Sequence, residues 1–365
     1  MPTSIEGVTA EWLTSALRIT GDIGNGTTVA SVEHRRFAEG VGLLSELYRT
    51  TLSYEPAAEG APTSLITKFA ISDPAQRGMA EGLGFYSREL HFYTHLVDQM
   101  PIRTPRAVAA MQDPGSGDFI LIMEDMSGLR SADQQVGVTW DDALRSARNQ
   151  ARLHAAFHQS DQLADLAATY PPIENPIYLA ALPGVFAAGW ENAQKHAGEH
   201  MTAGIKAFGD RYGDLLPFFL RTFMEPLTLL HGDWRADNLF YLSDDPADEN
   251  QDMAIVDFQI MGQGTGAYDL AYFASQSIAP DVRSGRDSEL IDTYLAALAA
   301  EGVDRDRDEF ERQYKLALAH CLIYAVASFP SYELLPENSQ SLMVSMLVRA
   351  MQAITDNGSL DLLPD

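Results

Sequence analysis

The segment His231–Asn238, HGDWRADN, gathers a histidine, two aspartates, an arginine and an asparagine between the apolar runs LTLL and LFYL. Asp233 and Asn238 are spaced so that a loop, not a helix face, brings both to one point, and Asp257 closes the apolar run MAIVD just downstream. Two carboxylates and an amide oxygen are hard ligands, and they suit Mg²⁺, which takes one or two carboxylates and completes its shell with water and substrate phosphate. The same residue types also form turns by bonding their own backbone. On this segment alone both readings stand.

Other polar residues raise the same choice. Lys68 lies inside the β-type run LITKFA, where a buried ammonium requires a partner; an outward lysine on an edge strand is the alternative. Arg235 can form a surface salt bridge with Asp237 or the acids at 244–249. Asp269 opens an apolar helical pattern and reads as an N-cap, while His154 and His158, at helical spacing in ARLHAAFHQ, read as satisfied helix histidines. Cys321 is the only cysteine, which rules out an internal disulfide or a cysteine-based zinc site.

The elements that must position these groups divide into two textures. A short amphipathic helix over Thr9–Arg18 precedes β-rich segments at TTVASVEHRRF, LLSELYRTTLSY and LITKFAI, a helix at FYSRELHFYTHLV, and the strand pair PRAVAAM and DFILIMED. This predicts a mostly antiparallel sheet with one inserted helix. From Thr139, which begins a T-x-x-D capping signal, the pattern turns helical, with helices expected at 139–159, 183–208, 269–276, 288–300, 308–328 and 336–356. Short strands are expected at 227–230, 239–242 and 253–256, and the acidic run SDDPADENQD reads as a hairpin tip. The fold class expected is α+β, with a β-rich domain over 1–125 and a mainly helical domain over 126–365.

Composition excludes several classes. With 365 residues, 46% hydrophobic and 21% charged, the chain is long enough for two lobes and too apolar for disorder. A balance of 25 basic against 51 acidic residues, net −26, argues against a sequence-independent hold on nucleic acid or an anionic membrane. No apolar run is long enough to span a bilayer, and MPTSIEGVTAEWLTSALR lacks a basic segment followed by an apolar core. A cytoplasmic location is expected.

The order of motifs resembles a known family. HGDWRADN resembles the H-G-D-x-x-x-x-N loop of the aminoglycoside phosphotransferase and choline kinase superfamily, relatives of the protein kinases; IVDFQ resembles its metal-binding D-F-G equivalent, and GAYDLAYF the helix start that follows. TAEWLTSALR, EGVGLLSELYRTTLSY, SRELHFY and ARLHAAF are similar to the bacterial branch of ecdysteroid-kinase-like proteins. The resemblance runs from about Thr9 to Phe273.

It implies a protein-kinase-like two-lobed fold and ATP- and Mg²⁺-dependent transfer of phosphate to a small-molecule alcohol. Position by position it makes Asp233 the catalytic base, Arg235 a contact to the γ-phosphate, and Asn238 and Asp257 the Mg²⁺ ligands. Lys68 becomes the nucleotide-phosphate lysine paired with Glu89; Gly40, Gly42 and Ser45 form a degenerate phosphate loop, since the third glycine of G-x-G-x-x-G is missing. Glu124 to Met126 fall where backbone groups carry the adenine, and His231 and Asp269 have structural roles at the site. Two other functions remain open on the residues: a non-catalytic nucleotide-binding module, and a metal-dependent hydrolase using His231, Asp233 and Asp257.

Overall fold

The computed structural model describes residues 1–37, 45–243 and 253–364. Gly40 and Gly42, and the acidic run from Asp244 to Asp252, lie outside the described residues. The chain divides into two compact units, one formed by Met1–Gln99 and Thr104–Leu129, the other by Met100–Arg103 and Arg130–Asp365.

In the first unit, α1 (Ala10–Ile19) starts at Thr9, whose hydroxyl accepts from the Trp12 N–H, satisfying one of the helix's free N-terminal donors. Five antiparallel strands follow, β1 (Thr28–Phe37), β2 (Ser45–Glu55), β3 (Ser64–Ala70), β4 (Ala107–Gln112) and β5 (Phe119–Glu124), in the order β1-β2-β3-β5-β4. β3 is central and Leu65 to Phe69 are all buried, as are Phe119 to Met123 of β5. Such strands lose the alternation of half-exposed ones and read as continuous apolar runs. Leu13 and Leu17 of α1 pack with Val29, Leu52, Leu65, Ile120 and Ile122 into one core, each such side chain stabilising the unit by about 1.5–3 kcal/mol when fully buried.

Between β3 and β4 the sequence pattern predicts one helix, and the structure has two: α2 (Pro74–Gly82) and α3 (Phe85–His91). Asp73 caps α2 by accepting from the Ala75 and Gln76 N–H groups, with Pro74 at the first helical position, a start signal that stands before a helix with few apolar residues, of which only Ala80 is buried. α3 continues into a π-helical turn over Phe92–Leu96.

The second unit is helical around two small sheets. After β6 (Arg130–Ser131), α4 (Trp140–Ala156) begins at Thr139, whose side chain accepts from the Asp142 N–H as the capping signal requires. The helices α5 (Gln162–Leu166), α6 (Pro176–His196), α7 (Ala203–Asp210) and α8 (Tyr212–Thr222) lead to the strands β7 (Thr228–Leu230), β8 (Leu239–Tyr241), β9 (Met253–Ile255) and β10 (Gly262–Gly264). β6, β8 and β9 form one sheet and β7 and β10 another. Then come α9 (Gly266–Ser277), α10 (Pro280–Arg283), α11 (Asp287–Ala300), α12 (Arg307–His320), α13 (Leu322–Val326) and α14 (Glu337–Asp356).

Two helical expectations are corrected here. The helix expected over 183–208 begins at Pro176, capped by Asn175, carries Pro183 inside it, and ends at His196; the Asn-Pro pair is the start signal. The helix expected over 308–328 breaks at Cys321 into α12 and α13.

Candidate active site

In the first unit the lysine within the apolar run is paired. Lys68 Nζ lies 2.9 Å from Glu89 Oε1 and 2.8 Å from Oε2, with the two side chains 5% and 1% exposed. β3 fixes the lysine between Leu47 of β2 and Leu121 of β5, and α3 brings the glutamate over it. A buried ion pair holds because breaking it strands a charge in low dielectric. Ser45, the first residue of β2, is buried opposite Ala70. Glu124 ends β5 with its N–H donating to Arg106 O, and Met126 is buried in a short 3₁₀ turn. Asp125 between them accepts from Arg49 Nε, Ser64 Oγ and the Ser127 N–H. Burial pushes the Asp125 carboxyl up, but these donors outweigh it and hold it below the usual range.

The second unit holds the polar loop between β7 and β8. Its base is Asp269, fully buried, which accepts from the His231 N–H at 2.7 Å and the Gly232 N–H at 3.1 Å, and meets His154 Nε2 at 3.3 Å. His154 Nδ1 in turn bonds the Tyr294 hydroxyl at 2.8 Å. Asp269 is therefore not an N-cap, because Thr265 holds that position and Asp269 sits inside the first turn of α9; its carboxylate turns away from its own helix to bind the loop.

Gly232 has φ +81°, and a Cβ there would lie 2.4 Å from Ile260 O, so the chain can pass only with glycine. The His231 ring is buried, with Nδ1 accepting from the Asp233 N–H at 3.2 Å and Nε2 facing Val256 O at 3.1 Å. An acceptor at Nδ1 and a carbonyl at Nε2 require the neutral ring protonated on Nε2, and burial lowers its pKa against the pull of Asp269, Asp233 and Asp257. Trp234 is buried and donates from Nε1 to Ser146 Oγ at 2.6 Å, while the Ala236 N–H donates to Ser277 Oγ at 3.0 Å.

These anchors hold the loop's remaining polar side chains. The Asp233 carboxylate accepts from Tyr272 OH on Oδ1 at 2.6 Å and from Asn238 Nδ2 on Oδ2 at 3.1 Å, and Arg235 Nε stands 3.3 Å from each oxygen. Asn238 Nδ2 also donates to Asp233 O at 2.9 Å. Arg235 additionally meets Asp237 at 3.7 Å. Asp233 first, then Tyr272, Asp237 and Asp257, raise the Arg235 pKa above its already high value against the effect of burial. Asp237 is pushed up by burial, although Arg235 and the Gln134 N–H oppose this. Asp257 follows β9 with φ +69°, a left-handed conformation that aspartate tolerates better than most residues.

The loop brings Asp233, Arg235 and Asn238 together, with Asp257 within electrostatic reach of Arg235. With its NH₂ engaged by Asp233, Asn238 has its carbonyl oxygen left to offer a cation. Among the described residues no three His, Cys, Asp or Glu side chains converge to cage a metal. Asn238 and Asp257 together would be too few for a self-sufficient metal site, and their oxygens would suit an ion that completes its shell with phosphate and water. Tyr272 is the site residue that sequence reasoning missed. One signal could have found it: it lies three residues after Asp269 on α9 and so shares its face. His158 lies beyond the end of α4, and burial lowers its pKa. Cys321 is buried, as a core residue should be.

The fold is that of the protein-kinase-like phosphotransferases. A candidate aminoglycoside phosphotransferase from Ralstonia eutropha JMP134 is similar at TM-score 0.54 and 15% identity, covering 96% of this chain and 98% of its own. A choline kinase from Cryptosporidium parvum Iowa II gives 0.51 and 14%, covering 90% and 88%, and aminoglycoside 2'-phosphotransferase-IIIa in complex with GDP gives 0.51 and 14%, covering 94% and 98%. At these identities the likeness is one of fold.

The ecdysteroid kinase-like family matches residues 39–303, and the chain belongs to that family. No curated protein sequence matches it. No helix among the described residues is long and apolar enough to cross a membrane.

Proposed function

We propose that the protein transfers the γ-phosphoryl group of Mg·ATP to an alcohol of a small molecule, with Asp233 as the base. The observation that carries this reading is the Asp233 carboxylate, held by Tyr272, Asn238 and Arg235 on a loop that Asp269 pins through two backbone N–H groups. Membership of a kinase-like family, and a fold shared with a phosphotransferase solved with GDP, support it.

The acceptor oxygen attacks the γ-phosphorus in line as its proton passes to a carboxylate oxygen of Asp233; the bond from phosphorus to the β,γ-bridging oxygen breaks and ADP leaves. Nothing in this scheme requires a covalent enzyme intermediate, because positioning and charge neutralisation supply the acceleration. A magnesium ion held by Asn238 and Asp257 would neutralise charge on the nucleotide phosphates. Lys68, oriented by Glu89, and Arg235 supply positive charge for those phosphates, Ser45 and the glycine-bearing segment before it supply donors, and the backbone around Glu124 to Met126 takes the base. On this reading residues 1–125 form the nucleotide lobe and 126–365 carry the catalytic loop and the acceptor pocket.

The test is mass spectrometry of a metabolite extract incubated with Mg·ATP, read for a product heavier by one phosphate. Asp233→Asn should lower the rate by about 10²–10⁴-fold, the usual effect of losing a general base, and keep Mg·ATP binding. If neither protein phosphorylates any compound in the extract or in a broad alcohol panel while both bind Mg·ATP, a non-catalytic nucleotide-binding module replaces this reading.

A further inference from the structure

The donors around Asp233 are unequal. Arg235 carries the nearest positive charge, yet its Nε stands 3.3 Å from both carboxylate oxygens, longer than the ~2.7–2.9 Å of a closed N⁺–H···O⁻ bond. The Tyr272 hydroxyl is at 2.6 Å from Oδ1, within the ~2.5–2.7 Å of a charge-assisted O–H···O⁻ bond. A neutral phenol makes the shorter contact, and the guanidinium donates to Oδ2 only by a long one.

Tyr272 is placed to do this by the rigid elements around it. It projects from α9, the same helix whose Asp269 pins the loop, and its ring is 3% exposed. The Tyr272 and Tyr324 rings meet edge to face with centroids 4.5 Å apart at 68°, and Tyr324 is tied to Tyr268 through their hydroxyls at 2.6 Å. Burial, and then the Asp233 charge, push the Tyr272 pKa well above its usual value, so it remains a donor. On the other oxygen, Asn238 Nδ2 approaches at 3.1 Å. The Arg235 Nε–H also donates to Oδ2, at 3.3 Å, so Tyr272 is the hydrogen-bond donor on Oδ1, which keeps a lone pair beside that bond.

We propose that Tyr272 is a positioning residue that holds the Asp233 carboxylate out of a closed ion pair with Arg235 and so keeps Oδ1 open to the acceptor hydroxyl. The inference rests on Asp233 being the base, and it adds a residue with a defined task. Without the Tyr272 hydroxyl, the carboxylate collapses onto Arg235 and both its oxygens are engaged by loop residues.

The experiment combines Tyr272→Phe, Arg235→Gln and the double variant, measured with Mg·ATP and the extract alcohol that the wild-type protein phosphorylates. Crystal structures of wild type and Tyr272→Phe accompany the kinetics. Tyr272→Phe should lower kcat by about 10–100-fold, the effect of one hydrogen bond to a charged group, with the KM for Mg·ATP unchanged. In the Arg235→Gln background the same substitution should lower kcat by less than about threefold, because the group that captures the carboxylate is gone and the two sites are coupled. In the Tyr272→Phe crystal, Asp233 should close to about 2.9 Å from Arg235.

An equal loss of kcat from Tyr272→Phe in both backgrounds overturns the proposal, as does an Asp233 that stays at its wild-type distance from Arg235 in the crystal. If the wild-type protein phosphorylates nothing, the phosphotransferase reading fails by itself, and the crystallographic comparison alone decides whether Tyr272 holds the two charges apart.

Discussion

Asp269→Asn isolates the anchoring of the polar loop. The substitution keeps the shape of the side chain but replaces one oxygen by an NH₂. In the native protein the His231 N–H donates to Oδ2 at 2.7 Å and the Gly232 N–H to Oδ1 at 3.1 Å, so both oxygens are engaged by backbone donors. Whichever way the amide is turned, its NH₂ faces one of those N–H groups. One charge-assisted bond is lost, a buried donor is left without an acceptor, and the remaining bond becomes neutral; together these destabilise the loop by about 2–4 kcal/mol. That raises the local opening equilibrium by roughly 30-fold or more, at 1.4 kcal/mol per factor of ten.

Because the chain has two compact units, a single global unfolding energy is not the quantity to measure. Native-state hydrogen exchange read by mass spectrometry reports the opening directly. The amides of residues 229–241 should exchange at least about 30-fold faster in Asp269→Asn, while those of 64–70 in the other unit keep their wild-type rates. An acceleration below about threefold across 229–241 would refute the assignment of Asp269 as the anchor of this loop.

The Lys68–Glu89 pair gives a second prediction: Lys68→Met alone should destabilise its unit by about 3–5 kcal/mol, whereas Lys68→Met with Glu89→Leu should restore stability to within about 1 kcal/mol of wild type. Both variants should lose Mg·ATP binding, read as the thermal shift that the ligand produces; a double variant as unstable as the single one would contradict the ion-pair reasoning. A third concerns acid. His320 is buried in an aromatic cluster, bonds the Tyr212 hydroxyl through Nδ1 at 3.0 Å, and has its pKa lowered by burial to about 3. The folded pKa lies below the unfolded value near 6.5, so the neutral ring's contribution is fully present above pH about 6.5. It is lost on acidification toward pH 3, at about 1.4 kcal/mol per pH unit. Thermal unfolding between pH 7 and 4.5 should show this slope flattened in His320→Leu, and an unaltered slope would count against it.

The first-order features were legible because they are local. Thr9 and Thr139 announce helix starts within one turn, the runs in β3 and β5 announce strands, and a lysine inside such a run implies a partner. The polar octapeptide between two apolar runs places Asp233 and Asn238 in a loop between short strands, and by itself leaves open whether they act or only form a turn. Where the reading missed, the determining signal was of another kind: Asn175-Pro176 starts a helix of weak apolar periodicity and Asp73-Pro74 one with few apolar residues, and Cys321 interrupts a pattern that continues on either side of it.

What only the tertiary structure decided is which distant group meets which. Asp269 reads locally as an N-cap, yet its carboxylate binds backbone N–H groups 38 and 37 residues away. Tyr272 reads as one more core aromatic, yet it donates to Asp233 across 39 residues. A helix face tells a residue which side of its own axis it occupies, and nothing about the element packed there. Periodicity and capping act over one turn, whereas the environment of Asp233 is set by where α9 lies against the loop.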